Sequence, residues 1–323
     1  MRHIDPKETP VRDVFRYLLG GVGPRPIALV STVSTDGVVN LAPFSFFGAF
    51  GANPPTVAFS ASRRLRDNTV KDTYNNIVAT RECVIQAVTH SILHQVNLTS
   101  ADFHPEVDEF VKSGLTPVAS DVVKPPRVEE SPFQMECRLT EMIELGGEGA
   151  SGNLALCEVV RFHIAEDVLV GDAIDPERLD LVARLGADWY CRASGAALFE
   201  LPKPSAGEKI GFDRLPQCVR ESDVFTGNNL AQLAAFDRVP TVGQAREFMD
   251  QFVSLHKETE KEFYRRLRLG DYRGMLEAAL ALEQRGHRHC VRLFEQTAKC
   301  ALDCDADVSF AWHVTIYAHR EGA

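Results

Sequence analysis

Hydrophobic and polar positions change rhythm near residue 200: before it they alternate mainly by twos, and after it they recur by threes and fours. Residues 25–34 (RPIALVSTVS) are β-branched and apolar and predict a strand. Thr35-Asp36-Gly37 follows with an Asp-Gly hairpin signal, which makes residues 38–47 the return strand. Asn53-Pro54-Pro55 ends that pair, and residues 56–60 (TVAFS) begin a third strand. Residues 67–80 predict a helix, with Val70, Tyr74 and Ile77 at helical spacing and Asp67 or Asn68 as its cap. Further strands are expected over residues 83–88, 133–143 and 153–164, the last with a buried stretch at 154–160. Gly146-Gly147-Glu148-Gly149 marks the turn before it.

The Pro-containing segment Leu201-Pro202-Lys203-Pro204-Ser205 is the natural linker, which gives domains 1–204 and 205–323. Beyond it Val242, Ala245, Phe248, Met249, Phe252 and Leu255 form the stripe of an amphipathic helix that Gly270-Asp271 breaks. A second helix is expected over residues 275–303, interrupted near Gly286, so the two make an antiparallel hairpin. The stripe at Phe248, Phe252 and Leu255 needs a cover, expected from the first domain or a partner subunit. Val308, Phe310, Trp312, Val314 and Ile316 alternate with more polar residues and predict a terminal strand. The fold class is α+β, with a mainly helical C-terminal extension.

Composition narrows the function classes. The 323 residues are 45% apolar and 25% charged, as in ordinary globular proteins. A net charge of −10 argues against nucleic acid as a partner. One local lysine or a helix N-terminus is still enough to hold a phosphate. No run reaches the roughly 18 to 20 apolar residues that span a bilayer, so no membrane partner is expected. The opening Met1-Arg2-His3-Ile4-Asp5-Pro6 lacks the apolar segment of a secretory signal. Eight scattered cysteines without a Cys-x-x-Cys pair read as free thiols in a reducing cytoplasm. Asp303-x-Asp305-x-Asp307 departs from a calcium loop at Val308 and Val314. His287-x-His289-Cys290 has no second pair at zinc spacing, and no metal is expected. Gly20-Gly21-Val22-Gly23 precedes a strand, unlike a dinucleotide fingerprint.

Two clusters could carry chemistry. Asn40-Leu41-Ala42-Pro43-Phe44-Ser45-Phe46-Phe47 places an Asn, a Pro and a Ser among three aromatics. Pro cannot donate to a central ladder, so the stretch belongs at a strand end or edge. It is either a bulged strand with one core face or a wall of apolar rings with amides and a hydroxyl for a ligand. Lys71-Asp72-Thr73, near a helix start, is either a solvated surface pair or an anion site built from charge, hydroxyl and helix dipole.

The order of these motifs resembles the flavin reductase-like family, and most nearly its flavoredoxin-type FMN-binding branch. The resemblance runs through Arg25-Pro26-Ile27-Ala28-Leu29-Val30-Ser31-Thr32, Asp36-Gly37, Asn40 to Phe47, Asn53-Pro54-Pro55 and Lys71-Asp72-Thr73. It continues in Cys157-Glu158-Val159-Val160-Arg161-Phe162-His163 and Ala183-Arg184-Leu185-Gly186-Ala187-Asp188-Trp189-Tyr190, covering roughly residues 10–200. It implies an FMN-binding split β-barrel that forms a homodimer, with the cofactor near the dimer interface. It also implies that Ser31 and Thr32 meet the ring or ribityl chain. Asn40, Ala42, Pro43, Phe44, Ser45, Phe46 and Phe47 would line the ring and part of the phosphate site, with Lys71, Asp72 and Thr73 at the phosphate. Cys157 and Ala187 stand where the family has Gly, which bears on any path for a nicotinamide. His163 is either a satisfied structural residue or a contact to flavin or hydride donor. The flavin carries its own hydride chemistry, so no catalytic side chain is named. The implied activity is electron transfer from NAD(P)H through FMN to free flavin or another acceptor. The alternatives are an FMN-holding electron carrier without a nicotinamide site, and a flavin-free scaffold.

Overall fold

The computed structural model describes residues 1–201, 203–204, 207–252 and 258–320. The chain divides into two compact units, Met1–Glu200 and Leu201–Ala323. Pro202 and Ser205 of the expected linker lie outside the described residues.

The first unit is built on a seven-stranded sheet. Its strands are β1 (Ala28–Val33), β2 (Val39–Phe44), β3 (Phe47–Ala52), β4 (Pro55–Ser60), β5 (Glu82–Ala87), β6 (Phe133–Glu144) and β7 (Asn153–Ile164). Their spatial order is β2-β1-β5-β6-β7-β4-β3, with every pair antiparallel. β2 and β3 therefore stand at opposite edges, yet Ser45 and Phe46 are all that joins them. A chain spans at most about 3.6 Å per residue, so the edges must meet and the sheet must roll up. No ladder joins β2 to β3, and the barrel is split there. Inside it pack Ala28, Val30, Phe44, Phe59, Ile85 and Met135. Outside, Leu29, Leu41, Val88 and Phe110 form a second core that includes residues of the helices Leu93–Leu98 and Glu109–Ser113. Cys83, Cys137 and Cys157 sit fully buried in the barrel interior, on three adjacent strands. A bond with Cys137 and then burial push Cys83 well above the ordinary thiol value, against an opposing bond with Cys157, and a bond with Cys83 and then burial push Cys157 up. All eight cysteines are free.

Several expected elements moved. Residues 25–34 divide: Arg25–Pro26 pairs with Val182–Arg184 in a separate three-stranded sheet, and Ala28–Val33 joins the barrel. The return strand stops at Phe44, and Phe47 opens β3 on the far edge. The helix expected from Asp67 starts at Asp72. Asp67 instead accepts hydrogen bonds from the Thr69 N–H and hydroxyl, and Asn68 has φ +58°, so both belong to a turn. The helix Val11–Gly21, which carries the acidic Asp13 in its first turn, was not foreseen.

The second unit is helical: Gly227–Ala234, Val242–Met249, Glu260–Leu269, Tyr272–Gln284, Cys290–Asp305 and Val308–Ala318. Gly270, at φ +70°, ends the third helix where the sequence placed a break. The long second helix is in fact two, parted at Gly286 with φ +73°. The expected terminal strand is a helix. Phe310, Ala311, Trp312, Val314, Thr315 and Ile316 are all buried, so both parities face the core, and Asp307 caps the helix through the Phe310 N–H. Phe248 and Phe252 pack on Phe310 at 5.7 and 6.0 Å within this unit, so their stripe is covered there. Leu255 lies outside the described residues. Among the described residues no helix is long and apolar enough to cross a membrane.

Candidate functional site

The split edge of the barrel carries the first candidate cluster. Pro43 lies on edge strand β2, where its missing N–H costs no ladder bond. The Leu41 N–H on the same strand donates to Glu109 Oε2 at 2.9 Å. Burial pushes the Glu109 carboxyl above its ordinary value, and the Leu41 N–H works against that. Asn40 turns inward, and its Nδ2 donates to Thr73 Oγ1 at 2.9 Å and Thr32 Oγ1 at 3.3 Å. Asn76 Nδ2 adds a further bond to Thr32 at 3.1 Å. Asn40, Thr73 and Thr32 thus form one buried network joining β1, β2 and the helix Asp72–Thr80.

That helix begins without a side-chain cap. Lys71 holds the cap position and accepts nothing, and the Asp72 and Thr73 N–H groups make no hydrogen bond among the described residues. Lys71 Nζ lies 5.3 Å from the centre of the Phe44 ring, with no hydrogen bond or ion pair among the described residues. Burial, and next the Arg64 charge, lower the Lys71 ammonium from its ordinary value, with Asp102 opposing. Arg64 is held by Asp102 at 3.1 Å and Asp72 at 3.9 Å. An ammonium, two free N–H groups and the hydroxyl of Thr73 make a donor set without its acceptor, and that chemistry fits a phosphate.

The other expected residues lie deeper or line cavities. Ser31 is enclosed, its hydroxyl donating to Pro126 O at 2.5 Å, and Thr32 is fully buried beneath the amides. Ala42 is half-buried on the barrel side. Phe44 packs on Phe59 at 5.2 Å, and Phe46 meets Phe15 at 6.1 Å, so this aromatic run is largely covered within the chain. Phe50, further along β3, is exposed, at 70%. Phe47 lines a large apolar cavity of about 610 Å³ with Phe133, Met135 and Phe162. A smaller cavity of about 170 Å³ sits beside Pro43, Phe44 and Ser45, closed by Asn97, Arg184 and Tyr190. The sequence did not single out Asn97, because it reaches the pocket from a helix about fifty residues away.

His163 Nε2 meets Glu136 Oε1 at 2.7 Å. The fully buried Glu136 also accepts from the N–H groups of Asp121, Val122 and Val123 at 2.8, 2.7 and 3.0 Å. Burial pushes this carboxyl up, but the Asp121 N–H, the His163 ring and the other two amides outweigh it and hold it below its ordinary value. With its oxygens spent on these donors, Glu136 is a loop anchor.

Comparison with known proteins places this geometry. The flavin reductase like domain profile matches residues 21–174. An uncharacterized protein of Aquifex aeolicus is 38% identical over 189 residues, covering 58% of this chain and 94% of its own. Nitrilotriacetate monooxygenase component B from Bacillus cereus is 35% identical with a TM-score of 0.59, over 62% of this chain and 98% of its own. The 2-nitrobenzoate 2-nitroreductase of Pseudomonas fluorescens is 27% identical with a TM-score of 0.55, over 64% of this chain and 100% of its own. A split barrel matched over nearly the full length of such relatives identifies the chain as a member of the flavin reductase-like family.

Proposed function

We propose that the protein is an FMN-dependent oxidoreductase that takes electrons from NAD(P)H and passes them to free flavin or another acceptor. The observation that carries this is the uncapped helix start at Asp72 beside Lys71, which has no hydrogen-bond or ion-pair partner among the described residues; this suits the terminal phosphate of FMN. Lys71 and the Asp72 and Thr73 N–H groups would hold that phosphate, and Asn40 would fix Thr73 for it. When bound, FMN supplies the hydride and electron chemistry, and the protein orients it. The likeness to a component of a monooxygenase and to a nitroreductase supports an oxidoreductase.

A second reading is an FMN-holding carrier without a nicotinamide site: Ala187, at φ +50° where the resembled segment has Gly, adds a side chain beside any nicotinamide path. Exposed Phe50 on edge strand β3, next to the apolar cavity, supports a homodimer that covers this face. Free thiols throughout are consistent with a cytoplasmic setting.

Mass analysis of cofactor released from the purified protein is expected to give FMN; a dominant FAD peak would contradict the phosphate assignment. Anaerobic mixing with NADH or NADPH is expected to bleach the flavin within turnover time. A yellow protein that neither nucleotide bleaches would leave the carrier reading in its place.

A further inference from the structure

The cavity beside Ser45 has an electrostatic bias. Its apolar walls include Phe44 and Tyr190, its polar groups are Ser45, Asn97, Ser100 and Arg184, and no carboxylate lines it. Arg184 is fixed there from three directions. Its Nη2 donates to Ala187 O at 2.8 Å, its guanidinium lies 4.5 Å from the Tyr190 ring centre, and Asp188 stands 3.7 Å away. The Asp188 side chain is fully exposed, so water screens that pair. Arg184 Nε and Nη1 make no hydrogen bond among the described residues.

A second guanidinium stands beside it. Arg25 is the register partner of Arg184 across two short strands. It is buried and spends its donors on the carbonyls of Leu19, Val22 and Leu185. Burial, and next the Arg184 charge, lower Arg25 from its ordinary value. Two cations are thus held at one corner, and among the described residues only the solvated carboxylate of Asp188 pairs with either of them. The cost of that arrangement is relieved when an acceptor-rich group enters the cavity.

Phe44 connects this cavity to the anion corner: it is both the ring beneath Lys71 Nζ and part of the cavity wall. We propose that Arg184 donates to the acceptor-rich edge of the flavin ring and thereby raises the reduction potential of bound FMN. The inference rests on the FMN reading and deepens it by assigning the ring end as well as the phosphate end. A fixed positive charge at the ring favours the form that carries more negative charge, and the protein tunes the cofactor through that preference.

The test is a reductive titration of the FMN-loaded full chain against a dye of known potential, for the native protein, Arg184→Gln and Arg184→Lys. Arg184→Gln is expected to lower the ratio of affinities for reduced over oxidised FMN about tenfold, roughly 30 mV for a two-electron couple. Arg184→Lys should recover part of that shift. Both variants should keep the native ratio of FMN to riboflavin affinity, because the phosphate end is untouched. An Arg184→Gln protein that stays yellow with an unchanged potential would overturn the inference alone. A variant that selectively loses FMN over riboflavin would overturn it by placing Arg184 at the phosphate. Native protein that takes up no FMN would overturn the FMN reading, and this inference with it.

Discussion

Lys71 makes the residue-scale case, because its surroundings decide what it can do. An ammonium over an aromatic ring, beside Arg64 and without a hydrogen-bond partner among the described residues, has been prepared for an anion. Lys71→Ala should weaken FMN by about 1.5 to 3 kcal/mol, the worth of a charge-assisted hydrogen bond, and leave riboflavin nearly unchanged. Fluorescence titration with both ligands reads the difference, and equal losses would move Lys71 away from the phosphate. FMN affinity should also fall as pH rises through the lowered value of Lys71, and Lys71→Arg should remove that alkaline limb. A helix start fixes which groups point outward, so the sequence alone suggests Lys71 and Thr73 as a pair. Alternation along β1 does not say which side of a rolled sheet a ligand can reach, so the sequence names Ser31 and Thr32 without placing them. Thr32 acts one step removed, through the amides of Asn40 and Asn76.

At the scale of elements, strands were easier to find than their partners. Hydrophobic alternation located β4, β5, β6 and β7, but it did not reveal that the Asn40–Phe47 run crosses from one edge of the sheet to the other. That crossing needs only Ser45 and Phe46, and no local pattern distinguishes a two-residue link from a continued strand. The terminal helix was misread for a related reason: a helix buried on all sides has no polar face, and its aromatic spacing then imitates a strand. Glu136 on β6 shows how one side chain fixes a neighbouring loop, gathering three amides and His163. Glu136→Gln should cost on the order of 3 to 5 kcal/mol, as expected when one partner leaves a buried charged network. Because this carboxyl is held below its ordinary value, its contribution is complete above the unfolded glutamate value. It is lost as pH falls through the folded value. Thermal unfolding from pH 7 to pH 3 should therefore show a shallower acid limb in the variant; parallel limbs would refute the linkage.

For the molecule as a whole, each unit carries its own apolar interior, one rolled around Phe44, Phe59 and Met135 and the other gathered around Trp312, Phe310 and Met275. The period changes near residue 200, where the two units divide, but no change of period tells how the helical stripe is covered, since Phe310 lies about sixty residues from Phe248. The three thiols enclosed in the barrel turn this division into something that can be timed. A thiolate is the reactive species; Cys83, Cys137 and Cys157 are all shut off from solvent, and Cys83 and Cys157 are also hard to ionise. An alkylating reagent can reach them only in the moments when the barrel opens, so their modification rate is a clock for that opening. Cys300 plays the same part in the helical unit, and the exposed Cys218 and Cys304 give the uninhibited rate. Peptide mass spectrometry after short pulses should show Cys218 and Cys304 labelled first. The barrel cysteines should follow more slowly and together as one class, and Cys300 at a rate of its own; barrel labelling as fast as Cys218 would refute their enclosure. One chain would then report the opening of its two halves separately, with no probe introduced.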